Sequence, residues 1–171
     1  MKVALIGIMG AGKSTLGKLA SRKLEMNFVD MDRYIEQKNN MTIKEMFSVS
    51  ERYFRAKEEE ALKILLKKEN IIISCGGGVI KKKSNIKLLR ENAFVIYIDR
   101  PVDDIIGKID CRNRPLLKEN KQVLYDIYNE RKTTYERACH YKLMNTNGKQ
   151  IGAEKLANII MKNKRFRANI K

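Results

Sequence analysis

The sequence predicts an α/β domain, a parallel sheet with helices on both faces. Three observations carry this. Short runs of Val and Ile alternate with helix-patterned segments along all 171 residues. The strand runs are apolar throughout rather than alternating, as strands covered on both faces are. The first of them leads straight into a glycine-rich turn and then a helix.

The elements follow in order. Residues 2–9 form a buried strand. Residues 13–24 place Leu16, Leu19, Ala20 and Leu24 at helical spacing. Residues 28–30 are a short strand ending in an acid, and residues 31–38 a helix with Asp30 or Asp32 placed to cap it. Thr42 and Glu45 form a capping box that opens a short helix. Residues 51–68 are helical, with Phe54, Ala61, Leu62, Leu65 and Leu66 on the apolar side. Residues 71–73 are a strand, stopped by Gly76, Gly77 and Gly78. A helix over 84–91 and a strand over 94–98 come next. Pro101 suits the first turn of a helix over 102–109. Residues 110–120 are polar, basic and proline-containing, a loop or lid. Residues 122–138 are helical, 141–144 a weak strand, and 151–162 a last helix. No repeat or linker interrupts the chain, so residues 1–171 read as one domain.

Composition narrows the function. With 43% hydrophobic and 33% charged residues and two prolines, the chain is neither disordered nor fibrous. No apolar run approaches the ~20 residues of a membrane span, and residues 1–9 lack the features of a signal peptide. The expectation is a soluble, cytoplasmic protein. Cys75, Cys111 and Cys139 stand far apart, which argues against a disulfide framework or a cysteine zinc site. His140 is the single histidine, so no His cluster or His-based triad can form; it reads as a packing or surface residue, and Cys75 as a small buried filler. The excess of 36 basic over 20 acidic residues, +16, suggests an anionic partner. Its clusters, Lys81, Lys82, Lys83, Lys87 and Arg90 and the segment 149–171, read as solvated basic faces.

Residues 7–14, Gly-Ile-Met-Gly-Ala-Gly-Lys-Ser, match the G-x-x-x-x-G-K-[ST] phosphate loop in its proper strand–turn–helix setting. Glycines let backbone N–H groups curl around a polyphosphate, and the helix that follows points its positive end at it. This makes Gly10, Ala11, Gly12, Lys13, Ser14 and Thr15 the candidate ATP-binding residues. Lys13 supplies charge to the β- and γ-phosphates, and Ser14 a hydroxyl to Mg²⁺. No NKxD motif of the GTPases follows. A small domain with a basic lid suits a small-molecule kinase, whose lid excludes water.

The remaining motifs are Asp30-Met31-Asp32, Phe54-Arg55 with Glu58, Cys75 with Gly76–Gly78, Arg114-Pro115-Leu116-Leu117, and Arg131 with Tyr135. In this order and spacing the chain resembles the shikimate kinases over nearly its whole length. The resemblance implies a three-layer P-loop kinase fold with a five-stranded parallel sheet and a lid. It implies transfer of the ATP γ-phosphoryl to the shikimate 3-hydroxyl, with Mg²⁺, in chorismate and aromatic amino acid biosynthesis. It assigns the acceptor to Asp32, Arg55, Gly77 and Arg131. Asp32 orients the reacting hydroxyl or takes its proton, and the arginines match a carboxylate with a planar fork. Asp30 supports Mg²⁺ through water, in keeping with the missing acid at the end of the 71–73 strand. Arg114 reaches the transferring phosphate from the lid, so the catalytic set is Lys13, Asp32 and Arg114. Most relatives act as monomers, without nucleic acid or membrane. Tyr135 reads as core packing.

Two departures stand out. Ser50 occupies a position where the family has Gly, and Lys108 stands where an adenine-stacking Arg is usual. The rival readings are a gluconate or nucleotide kinase of the same fold, and a non-catalytic ATP-dependent protein using its charge on nucleic acid. No nucleic-acid-binding module is recognisable.

Overall fold

The structure is a computed structural model and describes residues 1–106 and 121–168, with side chains described through Lys164. Strands β1 (Lys2–Ile6), β2 (Asn27–Asp30), β3 (Ile71–Ser74), β4 (Phe94–Asp99) and β5 (Tyr141–Met144) form one parallel sheet in the order β2-β3-β1-β4-β5. In the centre, Val3 pairs with Ile72 on one side and Phe94 on the other. Eight α-helices are found among the described residues: α1 (Lys13–Lys23), α2 (Met31–Asn39), α3 (Ile43–Val49), α4 (Glu51–Leu65), α5 (Lys83–Asn92), α6 (Val102–Ile106), α7 (Gln122–Ala138) and α8 (Lys149–Ala168). They cover both faces of the sheet; α1 packs along α8 and against β2 and β3, and α5 and α7 lie against β4.

Burial explains which strands were easy to read. Every residue of β3 and β4 is buried, and so are Val3 to Ile6 of β1. Each large aliphatic side chain taken out of water there contributes about 1.5–3 kcal/mol. The edge strands are different: β5 buries only Leu143, and β2 none of its four residues. An edge strand needs no continuous apolar run, so β5 carries a weak signal in sequence.

The helix starts follow their caps. The Thr42 hydroxyl accepts from the Glu45 N–H at 3.2 Å while the Glu45 carboxylate accepts from the Thr42 N–H at 2.7 Å, the reciprocal box expected from the sequence. Ser50, the departure noted above, caps α4 by accepting from the Tyr53 N–H at 3.0 Å. Two helices differ in extent from their sequence spacing. α4 ends at Leu65 rather than Lys68 because the chain must turn into β3 through Asn70, at φ 50°. The last helix begins at Lys149 and runs to Ala168, longer than its apolar spacing indicates. The helix over 102–109 is described to Ile106, and the lid at 110–120 lies outside the described residues together with Lys108, Cys111 and Arg114. Among the described residues, no helix is long and apolar enough to cross a membrane.

Candidate active site

β1 is flanked by β3 and β4, so the connections leaving its carboxyl end and theirs diverge to opposite sides. A crevice at the carboxyl ends of the strands is where open α/β sheets bind ligands. Here four strands deliver chemistry to that edge: the phosphate loop after β1, Asp30 at the end of β2, the triple-glycine turn after β3, and Asn145 after β5.

The phosphate loop is closed tightly. The Lys13 ammonium is buried and donates to the carbonyls of Gly7 and Ile8, both at 2.8 Å. Gly12 sits at φ 101°, and a Cβ there would come within 2.6 Å of the Asn145 amide nitrogen. Only glycine satisfies both constraints. The same Asn145 amide donates to the Ala11 carbonyl at 2.8 Å, and its backbone N–H bonds Asp99 O at 2.7 Å. Asn145 therefore clamps the loop to the far strands. The sequence signal for it is slight: a polar residue directly after the weak strand.

Ser14, in the first turn of α1, faces β2. Its hydroxyl donates to Asp30 Oδ2 at 2.5 Å and lies 3.0 Å from the Ser74 hydroxyl. Asp30 also caps α2, with Oδ1 accepting weakly from the Arg33 N–H at 3.4 Å. Ser74 occupies the strand-end position where many phosphate-loop enzymes carry an acid; the missing acid is legible in the sequence, and the hydroxyl that stands toward Ser14 in its place only in the fold. Ser14, Ser74 and Asp30 are hard oxygen donors with few carboxylates, and Mg²⁺ takes one or two carboxylates plus waters and phosphates rather than a full protein cage. The donor set fits it.

Asp32, in the first turn of α2, is aimed across at the turn after β3. A Cβ at Gly76 would lie 2.6 Å from Asp32 Oδ1 and 3.1 Å from Glu58 Oε1, and one at Gly78 would overlap the Arg55 guanidinium. Here the absence of side chains lets a turn run against three charged groups. Burial raises the Asp32 carboxyl above the usual carboxylate range; the neighbouring Asp30 charge adds to this, and Lys13 and Arg55 oppose it. Arg55 is fixed by Glu58 at 2.7 Å and Glu51 at 3.3 Å and rests over the Phe54 and Phe47 rings, 5.0 and 5.8 Å from their centroids. Arg131 on α7 reaches the Gly77 carbonyl through Nη1 at 3.4 Å.

Three atoms of this cluster are buried without a hydrogen-bond partner among the described residues: Asp32 Oδ1, Glu58 Oε1 and Arg131 Nε, the last 3.8 Å from the Glu130 carboxylate. Each such atom costs about 1–3 kcal/mol, roughly what burying one core isoleucine returns. A fold tolerates this where a ligand supplies the partners. Lys13, Asp32, Arg55, Gly77 and Arg131 thus converge on one crevice with Ser14 and Asp30 beside it, while Arg114 lies outside the described residues.

Glu58 gives a pH prediction. Burial raises its carboxyl above the ordinary value of 4.5, with the Arg55 charge and hydrogen bond pulling the other way. Between 4.5 and the raised value the folded state holds a proton that the unfolded chain has released. Stability from this group is therefore lost as pH rises through that window. The stability of Glu58→Gln relative to wild type should rise from pH 4 to pH 7 in urea titrations; a flat or falling difference would contradict it.

A parallel sheet in this strand order, with a phosphate loop on its central strand and an acid aimed across it, defines a P-loop kinase acting on a small molecule. Comparison with known proteins narrows it. The family model for shikimate kinase matches residues 9–163. Shikimate kinase of Clostridium botulinum (strain Alaska E43 / Type E3) is 46% identical over 162 residues, spanning 95% of this chain and 98% of that one. Shikimate kinase of Clostridium beijerinckii is 46% identical over 151 residues, 88% of either chain. Among solved structures, shikimate kinase from Acinetobacter baumannii in complex with shikimate superposes with a TM-score of 0.88 at 32% identity, covering 95% of this chain and 94% of that one. The Aquifex aeolicus shikimate kinase does so with 0.83 at 30% identity, covering 96% and 98%. The chain belongs to the shikimate kinase family and is an ATP-using kinase.

Proposed function

We propose that this chain transfers the γ-phosphoryl group of ATP to the 3-hydroxyl of shikimate, giving shikimate 3-phosphate and ADP, as a cytoplasmic monomer with no nucleic-acid or membrane partner. The observation that carries the chemistry is the buried Asp32 Oδ1, without a hydrogen-bond partner among the described residues and under the charges of Lys13 and Arg55.

The residues divide the work. The backbone N–H groups of Gly10, Ala11, Gly12, Lys13, Ser14 and Thr15 cradle the phosphates, and Lys13 exchanges its loop carbonyls for phosphate oxygens. Ser14 and, through water, Asp30 would hold Mg²⁺, which when bound neutralises charge on the phosphates. Arg55 and Arg131 hold the acceptor carboxylate, and Gly77 lets the acceptor approach the backbone. Asp32 accepts a hydrogen bond from the 3-hydroxyl and takes its proton as the oxygen–phosphorus bond forms and the bond to ADP breaks. A carboxyl raised toward working pH is better matched to that transfer than an ordinary one. Arg114, by resemblance, offsets charge on the transferring group.

The test is ADP release from Mg-ATP with shikimate, gluconate or nucleoside monophosphates offered separately. Strong stimulation by shikimate alone is expected. Turnover on another acceptor would keep the phosphate-loop argument and sink the roles given to Arg55, Gly77 and Arg131.

A further inference from the structure

Tyr135 lies on α7 one turn beyond Arg131. Its ring is fully buried and stacks on Tyr97 with centroids 5.1 Å apart, the core role its sequence context suggests. Its hydroxyl has a different role. It donates to the carbonyl of Gly77 at 2.5 Å. The Nη1 of Arg131 approaches the same carbonyl at 3.4 Å, longer than a well-formed N–H···O bond. Gly77 in turn packs on the phosphate loop, where a Cβ would lie 3.5 Å from the Met9 nitrogen and 3.6 Å from the Gly7 carbonyl oxygen. One peptide thus touches a phenol, an acceptor arginine and the phosphate loop.

We infer that Tyr135 is a positioning residue for the acceptor: by satisfying the Gly77 carbonyl it leaves the Arg131 guanidinium to the acceptor carboxylate. This rests on the role given to Arg131 above. The reason is competition for donors. A partly buried carbonyl deprived of its donor recruits the nearest one, and that donor is Arg131, already turned toward it. Acceptor binding would then have to pull Arg131 away from Gly77. The phenol suits the task because burial pushes it up to about 12, so it remains a donor throughout the working pH range.

Tyr135→Phe keeps the ring and its stacking partner and removes only the hydroxyl. It should raise the KM for shikimate about two- to twelve-fold, the value of one neutral hydrogen bond. The KM for ATP and kcat at saturating shikimate should stay within about two-fold. In an Arg131→Ala background the same substitution should change the shikimate KM by less than about two-fold, because the residue it acts through is gone. A lower Tm with an unaltered shikimate KM would make Tyr135 structural and overturn the inference. So would an effect that persists in full without Arg131. Arg131→Ala alone leaving the shikimate KM unchanged would overturn the carboxylate assignment and the inference with it, an outcome distinguishable from failure of the Tyr135 arm alone.

Discussion

Asp32→Asn is expected to lower kcat by about 10²–10⁴-fold, the range for removing a positioned general base, while ATP affinity stays within about two-fold. The substitution is nearly isosteric, so the turn after β3, whose Gly76 leaves room for Oδ1, need not move. The amide cannot take the proton of the acceptor hydroxyl. Nucleotide binding should survive because the phosphate loop keeps its shape through a contact that neither Asp32 nor the nucleotide disturbs, the Asn145 amide on the Ala11 carbonyl. The pH profile adds an independent readout. A base must be ionised to act, and burial raises the Asp32 carboxyl. The acidic limb of kcat in the wild type should therefore lie above the ordinary aspartate range, and the variant should lose it. Steady-state kinetics and nucleotide titration would check both; a large loss of ATP affinity would move Asp32 out of the acceptor role.

Arg131→Ala should raise the shikimate KM by about 10- to 150-fold, the value of a hydrogen bond to a charged partner at about 1.5–3 kcal/mol, with the ATP KM nearly unchanged. The buried Nε is the reason to expect a large effect: among the described residues it makes no hydrogen bond, the Glu130 carboxylate standing 3.8 Å away. Arg131→Lys should recover only part of the loss, since an ammonium lacks the planar fork. Equal damage to both substrates' KM values would place Arg131 elsewhere than at the acceptor.

Much of this is legible in the sequence alone, for physical reasons that differ from element to element. β1, β3 and β4 are covered on both faces, so their apolar runs announce them. The capping box of α3 is a local device, complete within four residues. The phosphate loop is likewise contiguous. What stayed out of reach was built from contacts between distant segments. The Tyr135 hydroxyl meets Gly77, Asn145 meets Ala11, and Ser74 meets Ser14, and none of these pairs leaves a periodicity or spacing to read. Tyr135 is instructive, because a buried aromatic on a helix face does look like simple packing, and its ring is. The acceptor role proposed for Arg55 and Arg131 rests on family resemblance, since an Arg beside a Glu on a helix reads equally well as a surface ion pair.

The place of β1 has a consequence for how the protein is made. Its partners are not its neighbours in sequence: Lys2 waits for Ile71, and Val3 for both Ile72 and Phe94. At a synthesis rate of about 5–20 residues per second, the first strand spends several seconds outside the ribosome as an apolar edge with nothing to pair with. During that time, binding by a chaperone competes with self-association. Folding is gated by closure of long loops, which slows it. The strand that seats the phosphate loop is thus made before both of its partners and cannot complete its pairing until β4 has been made.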